Sequence, residues 1–436
     1  MDWGVTLTLA VIVLLLLFTA GLPIFVAFLV LNVAGVVWLM GTAGFGMFAN
    51  SIYNTITQES LMAIPLFILM GEILFRSNAV EILIESIDKM VGNVRGRQYV
   101  LVTSLSTIFG ALSGSATAVS AMLGRSVMPL MLQRGYSTRL SVSAILGGAS
   151  LAPIIPPSLL VVMIGSMVDT SIAKLLIAGI VPGILLASMM VTYTFVRILR
   201  NPSLEPAGGE VAKRVRGKEF LLAMARTLPF GFVIFSVMGL ILLGIATPNE
   251  SAATGVIGAL IAAALFKKLS FKMFYESVIA TCTVSTMIMI IIASSMLFGQ
   301  LLSFTGATTG LVTVASEMEL SHLGTFLVLM AIPFILCMFI DLFAVMLVAI
   351  PIYEPILSVH NFDPIWFWTL FLINLTIGSL SPPFGYTIFA LKGAYPELSM
   401  DDVYAGAWPM VWLFIIGMAI MYSFPAIVTF LPSLIG

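Results

Sequence analysis

Two stretches of small and hydroxylated residues carry the oxygen atoms with which this chain could do chemistry. The first, SGSATA, contains Ser113, Ser115 and Thr117, and the proline-rich segment GGASLAPIIPPS follows it at 147–158. Na⁺ is a hard cation that prefers oxygen ligands, and hydroxyls and free carbonyls supply them without the desolvation cost of several carboxylates. The residue types therefore predict a cation site.

A related pair of stretches lies near the other end of the chain. Asp341 interrupts the apolar run MFIDLFAVML, and SLSPPFG follows at 379–385. A carboxylate at membrane depth costs at least about 2.5 kcal/mol, which makes Asp341 a functional candidate by default. The paired prolines that begin at Pro156 recur at Pro382, 226 residues later. This recurrence predicts an internal duplication.

The composition defines the environment in which these residues act. The 436 residues are 60% hydrophobic and 9% charged, with a mean hydropathy of +1.14, whereas soluble domains average about 25% charged residues. The chain is therefore predicted to be a multi-pass membrane protein. Its two cysteines are too few for a disulfide framework or metal cluster, and a net charge of −1 without a large basic block predicts no nucleic-acid partner.

Irregular backbone at membrane depth is tolerated only where protein or a water-filled cavity covers it. The run at about 100–132 has Lys and Arg on both flanks and is too short for two spans, so it is predicted to be a re-entrant "inner hairpin" entered from the cytoplasm. The run at about 326–357 lacks such flanks and should form an "outer hairpin". Pro-Pro pairs predict broken helices at about 141–165 and 364–390.

The predicted halves are two repeats separated by a polar cytoplasmic linker. Residues 1–200 form the first repeat, 201–225 the linker and 226–436 the second repeat. Five spans per half, about ten in total, turn the second copy upside down relative to the first, which is the inverted-topology repeat of many secondary transporters. A polar stretch at 49–60 is expected to interrupt the spans of the first half.

The candidate site residues lie at the hairpin tips and in the breaks. The Na⁺ candidates are Ser115, Thr117, Gly148, Pro153, Asp341, Gly378, Ser379 and Ser381. The substrate candidates are Ser113, Gly114, Ser158, Pro383, Phe384 and Gly385. Half-helices that start after the breaks would direct the positive ends of their dipoles at a carboxylate. Small residues also serve close helix packing, but matching breaks in both halves favour a site.

Four features in this order, SGSATA, PIIPPS, the Asp341 hairpin and SPPFG, resemble the large membrane subunit of tripartite ATP-independent periplasmic (TRAP) transporters over essentially the whole chain. The resemblance implies an elevator-type secondary transporter of the bacterial inner membrane, driven by Na⁺ and without an organic cofactor. It also implies a small membrane subunit of the Q type and a periplasmic binding protein. That protein would deliver an organic anion such as a C4-dicarboxylate, sialic acid, an oxo acid or an ectoine-like solute.

Other function classes compete with this interpretation. One is an ion exchanger, or a dicarboxylate/sodium symporter of similar architecture, that needs no binding protein; an exchanger should place more acids at the midplane, where Asp341 is nearly alone. An intramembrane enzyme would need a Ser/His, Asp/Asp or HExxH-like constellation, and the sequence contains none, so no enzymatic activity is predicted. Glu72 and Gln300 match across the repeat and are interpreted as hydrogen-bonding residues between helices.

Overall fold

The computed structural model describes residues 3–77, 86, 96–168, 170–206, 217–317 and 320–435. All regular structure within these ranges is helical, with 21 α-helices and three short 3₁₀ helices, which confirms the predicted all-α fold. The helices of the first half are α1 Trp3–Thr19, α2 Ile24–Met40, α3 Phe45–Ile56, α4 Ala63–Arg76, α5 Arg97–Ser113, α6 Ala116–Ser126, α7 Met128–Gln133, α8 Thr138–Ala149, α9 Leu159–Met167, α10 Ile172–Ala178 and α11 Ile180–Arg200. Those of the second half are α12 Lys218–Leu242, α13 Pro248–Leu265, α14 Phe271–Phe304, α15 Ala307–Glu317, α16 His322–Cys337, α17 Leu342–Val359, α18 Pro364–Leu380, α19 Tyr386–Ala394, α20 Met400–Ser423 and α21 Ala426–Ser433.

Several of these helices can cross a bilayer. Among the described residues, five are long and apolar enough by themselves, and a sixth crossing is a pair of helices bent by 55° between Phe45–Ile56 and Glu59–Arg76. Four further apolar helices have 16 or 17 residues. Length and composition thus identify fewer than the expected ten or so spans, because a broken helix divides one crossing into two short pieces.

The expectation of an interruption at 49–60 was wrong for most of that stretch. Helix α3 continues to Ile56, because its polar side chains find partners within the helix. The Thr55 hydroxyl donates to the Ser51 carbonyl at 2.8 Å, and both residues are buried. Hydroxyl side chains that bond to the carbonyl four residues earlier are compatible with a membrane helix.

Both predicted hairpins are present, and equivalent residues begin their returning limbs. In the inner hairpin, α5 ends at Gly114, whose φ of +64° lies in the left-handed region that glycine adopts readily, and Ser115 caps α6. In the outer hairpin, Asp341 caps α17. Ser115 and Asp341 are 226 residues apart, which is the spacing of the Pro-Pro pairs.

Both predicted broken helices are present as well. The first runs from α8 to α9 through the non-helical residues 150–158, and the second runs from α18 to α19 through 381–385. The Pro156–Pro157 and Pro382–Pro383 peptide bonds are cis. Almost every residue of α18 is buried, which is typical of a helix that is apolar on all sides and enclosed by others.

Small residues bring each hairpin close to its broken helix. A methyl group built on Gly110 would lie 2.8 Å from the Ala152 Cβ in the first break, and one built on Gly378 would lie 2.5 Å from the Cys337 Cβ at the end of α16. The inner hairpin also packs on the second broken helix, since a methyl group on Gly124 would lie 2.8 Å from the Leu391 side chain. These contacts join the hairpins and broken helices into one packed unit.

Candidate substrate and cation site

A cavity of about 530 Å³ lies where the two hairpin tips approach each other. Gly114 and Ser115 reach it from the inner hairpin, and Asp341 and Phe343 reach it from the outer hairpin. Most of its remaining lining is apolar. The oxygen-bearing tips of the two halves are therefore brought to one place, although 226 residues separate them along the chain.

The half-helices that follow the two breaks also begin at this cavity. Leu159, the first residue of α9, and Tyr386, the first residue of α19, both line it. The first backbone N–H groups of a helix have no partner within the helix, and the helix dipole makes this end partly positive. Two such ends at one cavity favour a ligand that carries a carboxylate.

The tip residues hold their oxygen atoms in place through their own backbone. The Ser115 hydroxyl accepts from the Ala118 N–H at 3.3 Å and lies 3.0 Å from the Thr117 hydroxyl. Asp341 Oδ1 accepts from the Phe343 N–H at 2.9 Å. These are N-cap interactions, which order the start of each returning limb and the oxygens beside it.

The first break is stabilised by Ser158, which is fully buried. Its hydroxyl donates to the Pro153 carbonyl at 2.6 Å and caps α9 by accepting from the Val161 N–H at 3.4 Å. A carbonyl oxygen has two lone pairs, so Pro153 keeps one for a cation. Gly148 faces the inner hairpin, where a methyl group in its place would lie 2.5 Å from the Ser106 Cβ.

The second break uses its hydroxyls differently. Ser379 donates to the Thr376 carbonyl at 2.9 Å, and Ser381 donates to the Ile377 carbonyl at 2.7 Å. Both side chains are thus bonded to α18 itself, and their oxygens keep acceptor capacity. The Gly385 N–H closes the turn by donating to the Ser381 carbonyl at 3.1 Å.

Pro383 and Phe384 lie on the outer side of this break. The Pro383 carbonyl accepts from the Tyr404 hydroxyl at 2.7 Å. The Phe384 ring is 55% exposed and lies 5.5 Å, centroid to centroid, from Phe339 at the tip of the outer hairpin. Neither residue lines the cavity.

Three buried hydroxyls near the breaks have no hydrogen-bond partner within the described part of the chain. They are Ser120 on the inner hairpin, Ser150 at the start of the first break and Thr387 in the first turn of α19. An unsatisfied buried hydroxyl costs about 1–3 kcal/mol, and an oxygen without a partner is a suitable ligand for an alkali cation. The sequence reasoning missed all three, although each lies within a few residues of a tip or a break.

The structure therefore gathers some of the predicted site residues and not others. Three of them, Gly114, Ser115 and Asp341, line the cavity, and Thr117 contacts Ser115. Ser113 ends α5, and its side chain lies outside the described part of the chain. The residues of the two breaks lie behind or beside the cavity, and they are Gly148, Pro153, Ser158, Gly378, Ser379, Ser381, Pro383, Phe384 and Gly385. Their roles as ligands stay predictions.

The opposite wall of the cavity was not predicted. It consists mainly of α4 and α14, here called the arm helices, which pack against each other. Glu72 and Phe75 line it from α4, and Val284 and Ile288 line it from α14. Apolar residues in long helices carry no local sign that they face a cavity, whereas Glu72 is an acid in an apolar run and could have been selected.

Two hairpins and two broken helices that meet at one cavity are the architecture of a membrane-embedded secondary transporter. Comparison with known proteins identifies the kind. The model of the DctM family, described as the DctM component of the tripartite ATP-independent periplasmic transporter, matches residues 11–427. The chain belongs to this family.

Curated relatives agree with this assignment. The ectoine TRAP transporter large permease protein TeaC of Halomonas elongata is 29% identical, over 98% of this chain and 99% of its own. The ectoine/5-hydroxyectoine permease UehC of Ruegeria pomeroyi is 30% identical over 98% of both chains. The C4-dicarboxylate permease DctM of Pseudomonas aeruginosa is 27% identical over 89% of this chain and 90% of its own.

A solved structure shares the fold. The YdaH transporter of Alcanivorax borkumensis superimposes with a TM-score of 0.60 at 12% identity, covering 95% of this chain and 99% of that chain. The family assignment confirms that the chain is a multi-pass transporter subunit of the inner membrane and not an enzyme. Membership in a tripartite family implies that it works with a small membrane subunit and a periplasmic binding protein.

Proposed function

We propose that this chain is the permease subunit for Na⁺-coupled uptake of a small organic anion, recognised by its carboxylate and delivered by the periplasmic binding protein. The observation that carries the proposal is the shared cavity, where Ser115, Asp341 and the starts of two half-helices meet. Cation ligands and a carboxylate-binding surface are thus adjacent. Binding of one ligand can then raise the affinity for the other.

The coupling ion is assigned from the chemistry of the oxygen atoms. One carboxylate, the tip hydroxyls and the buried hydroxyls without partners supply ligands of the kind that Na⁺ prefers. Na⁺ on Asp341 would neutralise the charge that otherwise faces an anionic substrate. The membrane potential contributes about 2.3 kcal/mol per charge per 100 mV, so two or more Na⁺ per cycle would support strong accumulation.

The substrate class follows from the relatives as well as from the cavity. Relatives are named for ectoine, C4-dicarboxylates and 2,3-diketo-L-gulonate, and all three kinds of solute carry a carboxylate. In the proposed complex this carboxylate faces the first N–H groups of α9 and α19. Sialic acid fits the same chemistry and stays a prediction.

The proposed movement is of the elevator type. The hairpins and broken helices are tightly joined through Gly110, Gly124 and Gly378, and we assign them to a mobile transport domain. The arm helices, with α1, α2, α12 and α13, would form the static scaffold. Because the cavity lies between the hairpin tips and the arm helices, sliding of one unit along the other would carry its contents across the bilayer.

The test is uptake into proteoliposomes that contain this chain and its small membrane partner. We expect accumulation of a labelled carboxylate that requires both a Na⁺ gradient and the loaded binding protein. Ion movement without an organic solute or a binding protein would instead support an exchanger. Solute uptake that needs Na⁺ but no binding protein would identify a simple symporter.

A further inference from the structure

The cavity contains a second acid that the proposed function leaves unused. Glu72 lines the wall formed by the arm helices, whereas Asp341 belongs to the outer tip. These two are the charged residues of the lining, and none of the described lining residues is Arg, Lys or His. A site proposed to hold a carboxylate is therefore itself acidic on one side.

Glu72 is held at this wall by an ion-pair cluster behind it. Arg76, one turn further along α4, places its Nε 2.8 Å from Glu72 Oε2 and its Nη1 3.3 Å from Glu276 Oε2 on α14. Lys272 Nζ lies 4.0 Å from Glu276 Oε1. One Arg76 guanidinium thus connects two carboxylates and orients Glu72, whose Oε1 is left for a donor from a ligand.

The second half of the molecule shows that the fold does not require this charge. Gly71 corresponds to Gly299 in the second arm helix, so the residue equivalent to Glu72 is Gln300 and the one equivalent to Arg76 is Phe304. Gln300 is exposed and does not line the cavity. One arm helix forms without the acid and the base, which indicates that the pair in the other serves the cavity.

The charges give the cavity a direction. The starts of α9 and α19 make one wall partly positive, and Glu72 makes the opposite wall negative. We propose that the transported carboxylate also carries a cationic group, an ammonium or an amidinium, and that this group binds Glu72. The inference rests on the proposed function and narrows its substrate class to a zwitterion. A dianion would place its second carboxylate against Glu72 and be rejected by repulsion.

The experiment begins with a substrate search that assumes no particular compound. Proteoliposomes containing the chain, its small membrane partner and the binding protein are exposed to a ¹³C-labelled bacterial metabolite extract under a Na⁺ gradient. Mass spectrometry identifies what accumulates, and we expect a carboxylate with an ammonium or amidinium group. The Kd of that compound for the purified membrane complex in Na⁺ is then measured for Glu72→Gln and Glu276→Gln.

The two variants separate binding from packing. Each removes one carboxylate from Arg76, but only Glu72 lines the cavity. We expect the Kd to rise at least tenfold in Glu72→Gln and to stay within twofold of wild type in Glu276→Gln. Equal changes in both variants would show that Glu72 only connects the arm helices, and accumulation of a dianion would overturn the zwitterion assignment while leaving the proposed function intact. Absence of any Na⁺-dependent accumulation would overturn the proposed function itself.

Discussion

The two hairpin tips occupy the same place in the two halves, but they differ in charge. Ser115 caps the returning limb of the inner hairpin and Asp341 caps that of the outer hairpin, and both line one cavity. Either residue type is a good N-cap, so the fold alone does not explain the choice. The comparison teaches that the duplicated backbone supplies symmetry, whereas function is carried by residues that break it.

The bases of the hairpins differ as well. The inner base is hydrogen-bonded to the chain that follows α11, because the Tyr99 hydroxyl donates to the Leu204 carbonyl at 2.7 Å and accepts from the Ser137 N–H at 2.9 Å. The outer base is aromatic, with the His322 ring 4.1 Å from the Phe362 ring and Tyr422 nearby. Aromatic residues are typical of a membrane interface, so the two bases are suited to different surroundings.

The largest effect is expected from making the tips alike. Asp341→Ser gives the outer tip the residue type of the inner tip and keeps an N-cap, but it removes the carboxylate. We expect Na⁺-driven uptake to fall at least about 100-fold, equivalent to roughly 2.7 kcal/mol. Uptake in proteoliposomes across a range of Na⁺ concentrations measures this.

Asp363→Ser is the matched control for that substitution. Asp363 is also an N-cap aspartate, whose Oδ1 accepts from the Trp366 N–H at 2.8 Å, but it lies outside the cavity lining. It should leave the Na⁺ dependence unchanged. Wild-type Na⁺ dependence in Asp341→Ser would remove Asp341 from the cation site.

The next effect concerns how closely each hairpin approaches its broken helix. In Gly378→Ala the new methyl group would lie 2.5 Å from the Cys337 Cβ and 2.7 Å from the Phe334 carbonyl oxygen, and in Gly110→Ala it would lie 2.8 Å from the Ala152 Cβ. Overpacking of this kind costs about 1–3 kcal/mol. We expect both variants to lower the Tm of the purified complex, and Gly378→Ala to lower it more, because a backbone oxygen cannot move aside easily.

A control glycine separates crowding from helix propensity. A methyl group on Gly393, in α19, would meet no atom within 4 Å. Because Ala is the better helix former by up to about 1 kcal/mol, Gly393→Ala should leave the Tm unchanged or raise it. Equal loss of stability in all three variants would contradict the close-packing interpretation.

The sequence was sufficient for the elements and for the most polar part of the site. Hairpins and breaks are visible because each interrupts an apolar run, and Asp341 stands out because a charge there is costly. The directions of hydroxyl groups were not accessible. Ser379 and Ser381 bond to their own helix, whereas Ser150 and Thr387 have no partner in the described chain, and this difference depends on contacts that local sequence does not encode.

The arm wall of the cavity shows the second limit. Val284 and Ile288 face the cavity while similar residues of α14 face other helices or the bilayer, and only three-dimensional packing distinguishes them. Glu72 was recognised as matching Gln300, but the pair was interpreted through symmetry. The informative feature was the loss of symmetry, since one residue of the pair lines the cavity and the other does not.

A smaller effect is expected at the inner tip. Ser115→Ala removes a hydroxyl that caps α6 and contacts Thr117. We expect the Na⁺ concentration for half-maximal uptake to rise about tenfold, equivalent to about 1.4 kcal/mol, which is less than for Asp341→Ser because no charge is lost. Ser126→Ala, on the same limb but exposed and bonded to the Met122 carbonyl, should have no effect. An effect of Ser115→Ala as large as that of Asp341→Ser would mean that the tips contribute equally.

The smallest effect is expected where the halves differ outside the site, at the turns between their first two helices. In the first half, Pro23 precedes α2 without a side-chain cap. In the second half, Thr247 and Glu250 form a capping box, in which the Thr247 N–H and hydroxyl donate to Glu250 Oε2 at 2.8 and 3.0 Å. These hydrogen bonds hold the pKa of Glu250 below its usual range.

A depressed pKa means that folding favours the ionised carboxylate, so its contribution is present above the unfolded pKa of about 4.3 and is lost as the pH falls through the folded pKa. Hydrogen exchange at the start of α13 should therefore be slightly faster in Glu250→Gln than in wild type at pH 6. The difference should vanish at low pH, where both side chains are neutral. The start of α2 is the internal reference, because it has no acid in its first turn and should exchange alike in both proteins at either pH. A difference that persists at low pH would show that Glu250 acts there through its shape and not through its charge.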